Sequence, residues 1–95
     1  NVILEIIELN QDRIKRFGVK KIGVFGSFAK NTQRKGSDVD ILVEFFQGQK
    51  TFDHYMELKD FLEKLIQRKV DLVVKESLKL RIKPSVLKNT QYAGL

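Results

Sequence analysis

The middle of the chain decides the fold, and from Ile22 to Phe45 it reads IGVFGSFAKNTQRKGSDVDILVEF. The alternating pattern from Lys20 to Gly26 predicts a first strand. Every second residue from Val39 to Phe45 is valine, isoleucine or phenylalanine, and this period of two predicts a second strand. The polar connection between them is expected to be compact rather than flexible, with a short helix opening at Ser27 to Lys30.

Helical patterns lie on both sides of this stretch. Apolar residues recur at spacings of three and four from Val2 to Phe17, which predicts one amphipathic helix. Gly18 follows this helix directly and is expected to form its left-handed C-terminal cap. The same periodicity from Phe52 to Gln67 predicts a second long helix. Val70 to Val74 is short and β-branched, as expected of a buried third strand. Beyond it, the pattern supports only a short helix at Pro84.

This order of elements predicts a single α+β domain spanning residues 1–95, with helices flanking a small mixed sheet of three or four strands. The helix between the second and third strands is long enough for a right-handed crossover. These two strands are therefore expected to be parallel neighbours.

Composition narrows the classes of function. The chain has 42% hydrophobic residues, as is ordinary for a globular domain. Because it has no cysteine, disulfides, thiolate catalysis and cysteine-bound zinc are excluded. No apolar run reaches the roughly 18 residues of a membrane span. The acidic residues Glu5, Glu8 and Asp12 interrupt the first segment, whereas a signal peptide has a basic region followed by an apolar one. A cytoplasmic location is therefore expected. The net charge is +6, and the segment from Leu78 onward has four basic residues and no acidic one, which favours anionic partners.

Two carboxylates share one face of the second strand. Asp38 and Asp40 are two residues apart, so they lie about 6.6 Å apart along the strand and repel each other by roughly 2.5 kcal/mol at an effective dielectric of about 20. A lysine, a shared proton or a divalent cation could relieve this repulsion, and carboxylate oxygens suit magnesium or manganese best. The alternative is an ordinary solvated strand face. Leu42 shares that face, which indicates that it is partly covered.

Asp71 is the only charged residue in the third strand. If the second and third strands are adjacent, Asp71 lies beside Asp38 and Asp40, and the three carboxylates could bind one or two divalent cations that position a nucleoside triphosphate. The alternative is an ion pair between Asp71 and either Lys69 or Lys75. Near this site, Gly26 and Ser27 join a strand to a helix start, where backbone N–H groups attract phosphate oxygens.

The runs Gly26 to Lys30 and Ser37 to Val43 together resemble the Gly-Ser and Asp-x-Asp motif of the DNA polymerase beta-like nucleotidyltransferase superfamily. In length and element order the chain is similar to the minimal (MntA-type) nucleotidyltransferases of prokaryotes. The resemblance implies the nucleotidyltransferase fold. The chain departs from many relatives at two places. It has Phe28 where they have an arginine, and Lys30–Asn31 where they have an Arg-Gly pair.

The resemblance also implies a role for each motif residue. Gly26 and Ser27 would hold the triphosphate, with Lys30 adding a positive charge. Asp38 and Asp40 would bind two Mg²⁺ ions, and Asp71 would be the third metal-binding carboxylate, which activates the acceptor hydroxyl. ATP would be the donor of AMP, and the acceptor would be a tyrosine of a HEPN-domain toxin, which makes the enzyme an antitoxin.

Two other functions compete with this interpretation. The chain could be a non-catalytic antitoxin that blocks a partner by contact through its basic tail and exposed helices. It could also bind RNA, although no RNA-binding motif is present and direct nucleic-acid binding is not expected. A domain this small is expected to work with a second chain, in a homo- or hetero-oligomer.

Overall fold

The computed structural model describes residues 2–30 and 36–94. The strands are β1 Val19–Phe25, β2 Val39–Phe45, β3 Val70–Val74 and β4 Gln91–Tyr92. The helices are α1 Val2–Leu9, α2 Gln11–Lys15, α3 Gly26–Lys30, α4 Phe52–Ile66 and α5 Lys83–Asn89, and a 3-10 turn covers Lys75–Ser77.

The four strands form one mixed sheet in the order β3-β2-β1-β4. β2 lies antiparallel to β1 and parallel to β3, so the predicted parallel neighbours are confirmed. β4 pairs antiparallel with the other side of β1. The α+β class and the small mixed sheet with flanking helices are confirmed as well.

The alternating residues of β2 separate the two faces of the sheet. Val39, Ile41 and Val43 are fully buried and belong to one hydrophobic core. That core also contains apolar residues of α1, α2 and α4, namely Ile3, Ile7, Ile14, Leu58, Leu62 and Ile66. The opposite face carries Asp40, Leu42 and Glu44, because successive side chains of a strand point to opposite sides. Leu42 is only 2% exposed, which confirms that this face is partly covered.

The predicted single helix from Val2 to Phe17 is wrong, because the chain breaks it at Asn10. The Asn10 side chain donates from Nδ2 to the carbonyl of Ile6 at 2.9 Å, and Asn10 has a φ of −114°. An asparagine side chain that bonds the preceding turn competes with the helical backbone, so the helix restarts as α2. Gly18 does take the predicted left-handed conformation, with a φ of 79°.

The start of β3 is fixed by contacts with α4. The backbone N–H of Val70 donates to Glu63 Oε2 at 2.9 Å, and the Tyr55 hydroxyl donates to the Leu72 carbonyl at 2.7 Å. Gln67 caps α4 with a left-handed φ of 60°, which turns the chain toward β3. These contacts set the position of Asp71, the second residue of β3.

The C-terminal segment closes the other edge of the sheet. Gln91 pairs with Val24 and donates from Nε2 to the Ala29 carbonyl at 3.0 Å, so this segment ties β1 to α3. Tyr92 lies beside β1, where it pairs with Gly23, and the Nζ atom of Lys21 is 5.8 Å from the centre of its ring. None of the helices in the described ranges has the length and apolarity to cross a membrane.

Candidate active site

Asp40 and Asp71 lie side by side on the two parallel strands. The β2–β3 register pairs their Cα atoms directly, so both carboxylates project from the same face of the sheet. Asp38 is exposed and directly precedes β2, two residues before Asp40. The structure therefore brings Asp40 and Asp71 together, as the sequence predicted, whereas Asp38 does not complete a group of three with them.

The ion pairs proposed as an alternative for Asp71 are not formed. Lys75 instead contacts Glu44, with 3.3 Å between Nζ and Oε1. Within the described ranges, no lysine or arginine forms an ion pair with Asp71. The carboxylate of Asp71 thus remains available to the site.

Gly26 lies directly against the Asp40 carboxylate. A Cβ atom placed on Gly26 would collide with Asp40 Oδ2, and Gly26 has a positive φ of 69°. The sequence predicts that this glycine lets a phosphate group approach the backbone. In the structure, the Asp40 side chain occupies the space beside the Cα atom of Gly26. The absence of a side chain at Gly26 therefore allows the Gly-Ser turn to pack against the carboxylate of Asp40.

Burial, repulsion from the Asp71 and Asp38 carboxylates, and a hydrogen bond with Asp71 raise the pKa of Asp40 above its usual value. A hydrogen bond between two carboxyl groups requires a proton on one of them. A shared proton is one of the three ways to relieve the repulsion that the sequence left open.

The donor atoms of this cluster fit a hard divalent cation. Three carboxylates without histidine or cysteine are the ligand set that Mg²⁺ or Mn²⁺ prefers. In residues 2–30 and 36–94, no three acidic, histidine or cysteine side chains already stand as a metal-binding group. A cation would therefore have to draw Asp38 toward the Asp40–Asp71 pair.

The two remaining predicted site residues belong to α3. Ser27 follows Gly26 at the start of this helix and is half-buried. Lys30 is exposed one turn later and lines a small cavity of about 130 Å³ with Gly26, against Ser85, Val86 and Asn89 of the α5 region. Lys30 thus shares a cavity with Gly26, whereas Asp38 lines a different one. Asn31 and the Arg34–Lys35 pair lie outside the described residues.

Sequence reasoning missed one basic residue at the site. Arg68, in the turn between α4 and β3, lines a cavity of about 430 Å³ with Asp38, Ser37 and Lys69. Its guanidinium carbon lies 5.3 Å from the centre of the Phe28 ring. The signal available in the sequence was the Arg-Lys pair just before the strand that carries Asp71.

A mixed sheet that presents paired aspartates on adjacent strands, next to a Gly-Ser helix start, defines a nucleotidyltransferase. Residues 5–93 match the nucleotidyltransferase domain family, and the chain belongs to this family of enzymes.

Similarity to known proteins supports this family assignment. The chain is 45% identical over 78 residues to the protein adenylyltransferase MntA of Thermococcus cleftensis, covering 82% of this chain and 78% of the relative. Its fold resembles that of a solved structure described as a minimal nucleotidyltransferase, with a TM-score of 0.77, 33% identity and 93% of each chain covered. It also resembles a toxin–antitoxin crystallised with AMP-PNP, with a TM-score of 0.70, 25% identity, and 90% of this chain and 70% of the other covered.

Proposed function

We propose that this chain transfers AMP from ATP to a hydroxyl group, that the acceptor is a tyrosine of a HEPN-domain toxin, and that the transfer makes the enzyme an antitoxin. The observation that carries the proposal is the lateral pairing of Asp40 with Asp71, with Gly26 against Asp40. The protein adenylyltransferase name of one relative and the AMP-PNP in a toxin–antitoxin neighbour support the donor and the partner class.

Asp38, Asp40 and Asp71 would hold two Mg²⁺ ions in this proposal. The ions would lower the pKa of the acceptor hydroxyl and neutralise charge on the pyrophosphate that leaves. The protein's own task is to position the reactants. Asp71 is exposed on the edge strand, where an incoming hydroxyl would reach it, and Ser27 with the first backbone N–H groups of α3 would bind the phosphates.

Substitution of the paired aspartates tests the proposal. We expect Asp40→Asn and Asp71→Asn to reduce transfer of label from α-labelled ATP to a co-expressed partner by about 100-fold or more, because each removes a charged ligand of the site. The far-ultraviolet circular dichroism spectrum should stay unchanged.

Asp60→Asn is the matched control. Asp60 is an exposed aspartate on α4 whose partner is Lys64, 2.9 Å away and one helical turn along, and its variant should retain full transfer. Normal transfer by Asp40→Asn would contradict the assignment. Toxin neutralisation by a variant that transfers no label would instead support the antitoxin that acts by contact.

A further inference from the structure

Arg68 has a defined place at the edge of the site. It follows the left-handed residue Gln67 in the turn between α4 and β3, and its guanidinium lies over the ring of Phe28. Phe28 is 6% exposed and is the residue directly after Ser27. A cation held over an aromatic face keeps a preferred orientation, so this contact positions the Arg68 side chain beside α3.

Within residues 2–30 and 36–94, the donors of this guanidinium have no acceptor. In the part of the chain that the structure describes, Arg68 makes neither an ion pair nor a hydrogen bond. Its planar fork carries five N–H donors and matches the oxygens of a phosphate group in a bidentate manner. Arg68 is therefore an exposed cation that the Phe28 ring helps to position.

The cavity next to Arg68 is lined by one of the three site carboxylates, that of Asp38. It has a volume of about 430 Å³, within the usual range of small-molecule sites, and Asp38 forms part of its wall. A phosphate group beside Asp38 would be repelled by that carboxylate. Arg68 and Lys69, on the facing turn, supply positive charge that offsets this repulsion.

We propose that Arg68 binds the triphosphate of the donor nucleotide and thereby contributes to selection of a triphosphate over a monophosphate. This inference rests on the proposed function, since it assumes that the nucleotide occupies the carboxylate site. It adds a second element to nucleotide binding: the turn before β3 takes part together with the start of α3.

Nucleotide binding measured by calorimetry in the presence of Mg²⁺ tests the inference. Arg68→Ala is expected to weaken the binding of AMP-PNP about tenfold, as for loss of a charge-assisted hydrogen-bonded pair, and to change the binding of AMP less than about twofold. Arg68→Lys keeps the charge but lacks the fork, so an intermediate loss of about threefold is expected.

Arg13→Ala is the matched control. Arg13 lies on α2 with its guanidinium 5.7 Å from the ring centre of Phe61, so it makes the same kind of contact away from the carboxylates. Its removal should leave both affinities unchanged. The Tm of each variant separates loss of binding from loss of folding. If the Tm of Arg68→Ala is well below that of the wild type, the affinities of Arg68→Lys are used to test the inference instead.

Each outcome has a defined meaning. If the wild-type protein does not bind AMP-PNP, the proposed function itself fails. If the wild type binds and Arg68→Ala binds equally well, only the inference about Arg68 is overturned. An equal loss of AMP and AMP-PNP also overturns it, because the contact would then not involve the terminal phosphates.

Discussion

Gly26 has a positive φ of 69°, and its missing side chain leaves the space that the Asp40 carboxylate fills. We predict that Gly26→Ala destabilises the fold by about 2 kcal/mol or more, since the left-handed conformation alone costs about 1–2 kcal/mol for an alanine and the new methyl group would also displace Asp40. Urea unfolding and a transfer assay measure the two effects, and transfer should fall strongly.

Gly48→Ala is the control, because Gly48 has a similar positive φ but no atom lies where its Cβ would be. Its φ is 80°, and a Cβ atom there would meet nothing within 4 Å. Gly48→Ala should therefore lose only the conformational part of the stability and keep full transfer. Equal losses of stability and activity in the two variants would show that the Asp40 contact has no separate effect.

At the residue scale, the strand period was enough to predict that Asp40 and Asp71 lie side by side, whereas the place of Asp38 in the cluster stays a prediction. Asp40 and Asp71 meet because two parallel strands are in register, and the sequence shows both strands. Arg68 could not be found in this way, because its place depends on the left-handed turn at Gln67 and on the orientation of Phe28. Neither feature has a periodic signal.

The outer strand β3 is held to α4 by the Tyr55 hydroxyl, which donates to the Leu72 carbonyl at 2.7 Å. We predict that Tyr55→Phe lowers the free energy of unfolding by about 1 kcal/mol, because the loss leaves a partly buried carbonyl without this bond. Chemical denaturation measures the change.

Tyr92→Phe is the comparison variant. Tyr92 is 44% exposed, and its hydroxyl donates to no residue in the described ranges, so this change should cost less than about 0.5 kcal/mol. A similar loss in both tyrosine variants would mean that the Tyr55 hydrogen bond does not contribute measurably.

A charge cluster joins β1, β2 and the turn after β3. Glu44 is 3.3 Å from Lys75 Nζ and 3.5 Å from Lys20 Nζ. Burial raises the pKa of Glu44, but the hydrogen bonds and charges of Lys75 and Lys20 outweigh it, so the pKa lies below its usual value of 4.5. A carboxyl with a lowered pKa stabilises the fold above the unfolded pKa and loses this effect as pH falls through the folded pKa.

We therefore predict that Glu44→Gln destabilises the protein by about 0.5–1 kcal/mol at neutral pH and that the difference from wild type shrinks toward zero below about pH 4. Urea unfolding over this pH range, at low ionic strength, measures it. Glu57→Gln, at an exposed position on α4 that forms no ion pair in the described ranges, should change the free energy of unfolding little at neutral pH. A constant difference at all pH values would contradict the ion-pair explanation.

At the element scale, β2, β3 and α4 were predicted well, whereas the break between α1 and α2 and the strand β4 were not. The predicted bounds of β2 and β3 agree with the structure, and α4 ends one residue earlier than predicted. The helix break came from one asparagine side chain, and β4 has two residues, too few to show a period of two. Both features depend on a few individual hydrogen bonds rather than on a hydrophobic pattern.

For the whole molecule, the proposed nucleotide site predicts strong stabilisation by ligand. AMP-PNP with Mg²⁺ at about a hundredfold excess over its dissociation constant should add about 2.7 kcal/mol to the free energy of unfolding and raise the Tm by about 10–20 °C for a domain of this size. Differential scanning fluorimetry measures the shift.

Chelation with EDTA is the control for this shift. The carboxylate cluster repels phosphate unless cations are present, so AMP-PNP without metal should give little or no increase in Tm. The same increase with and without EDTA would contradict a metal-dependent site.

The contact between Gln91 and Ala29 has a consequence for biosynthesis. The residues that brace α3 and pair with β1 are about sixty positions later in the chain, so they leave the ribosome after every residue of the carboxylate cluster. The nascent chain can assemble β1, β2 and β3 first, but the helix that carries the Gly-Ser turn gains the hydrogen bond from Gln91 to Ala29 only when translation has passed Gln91. Catalysis is then expected to start after translation of this segment rather than during it.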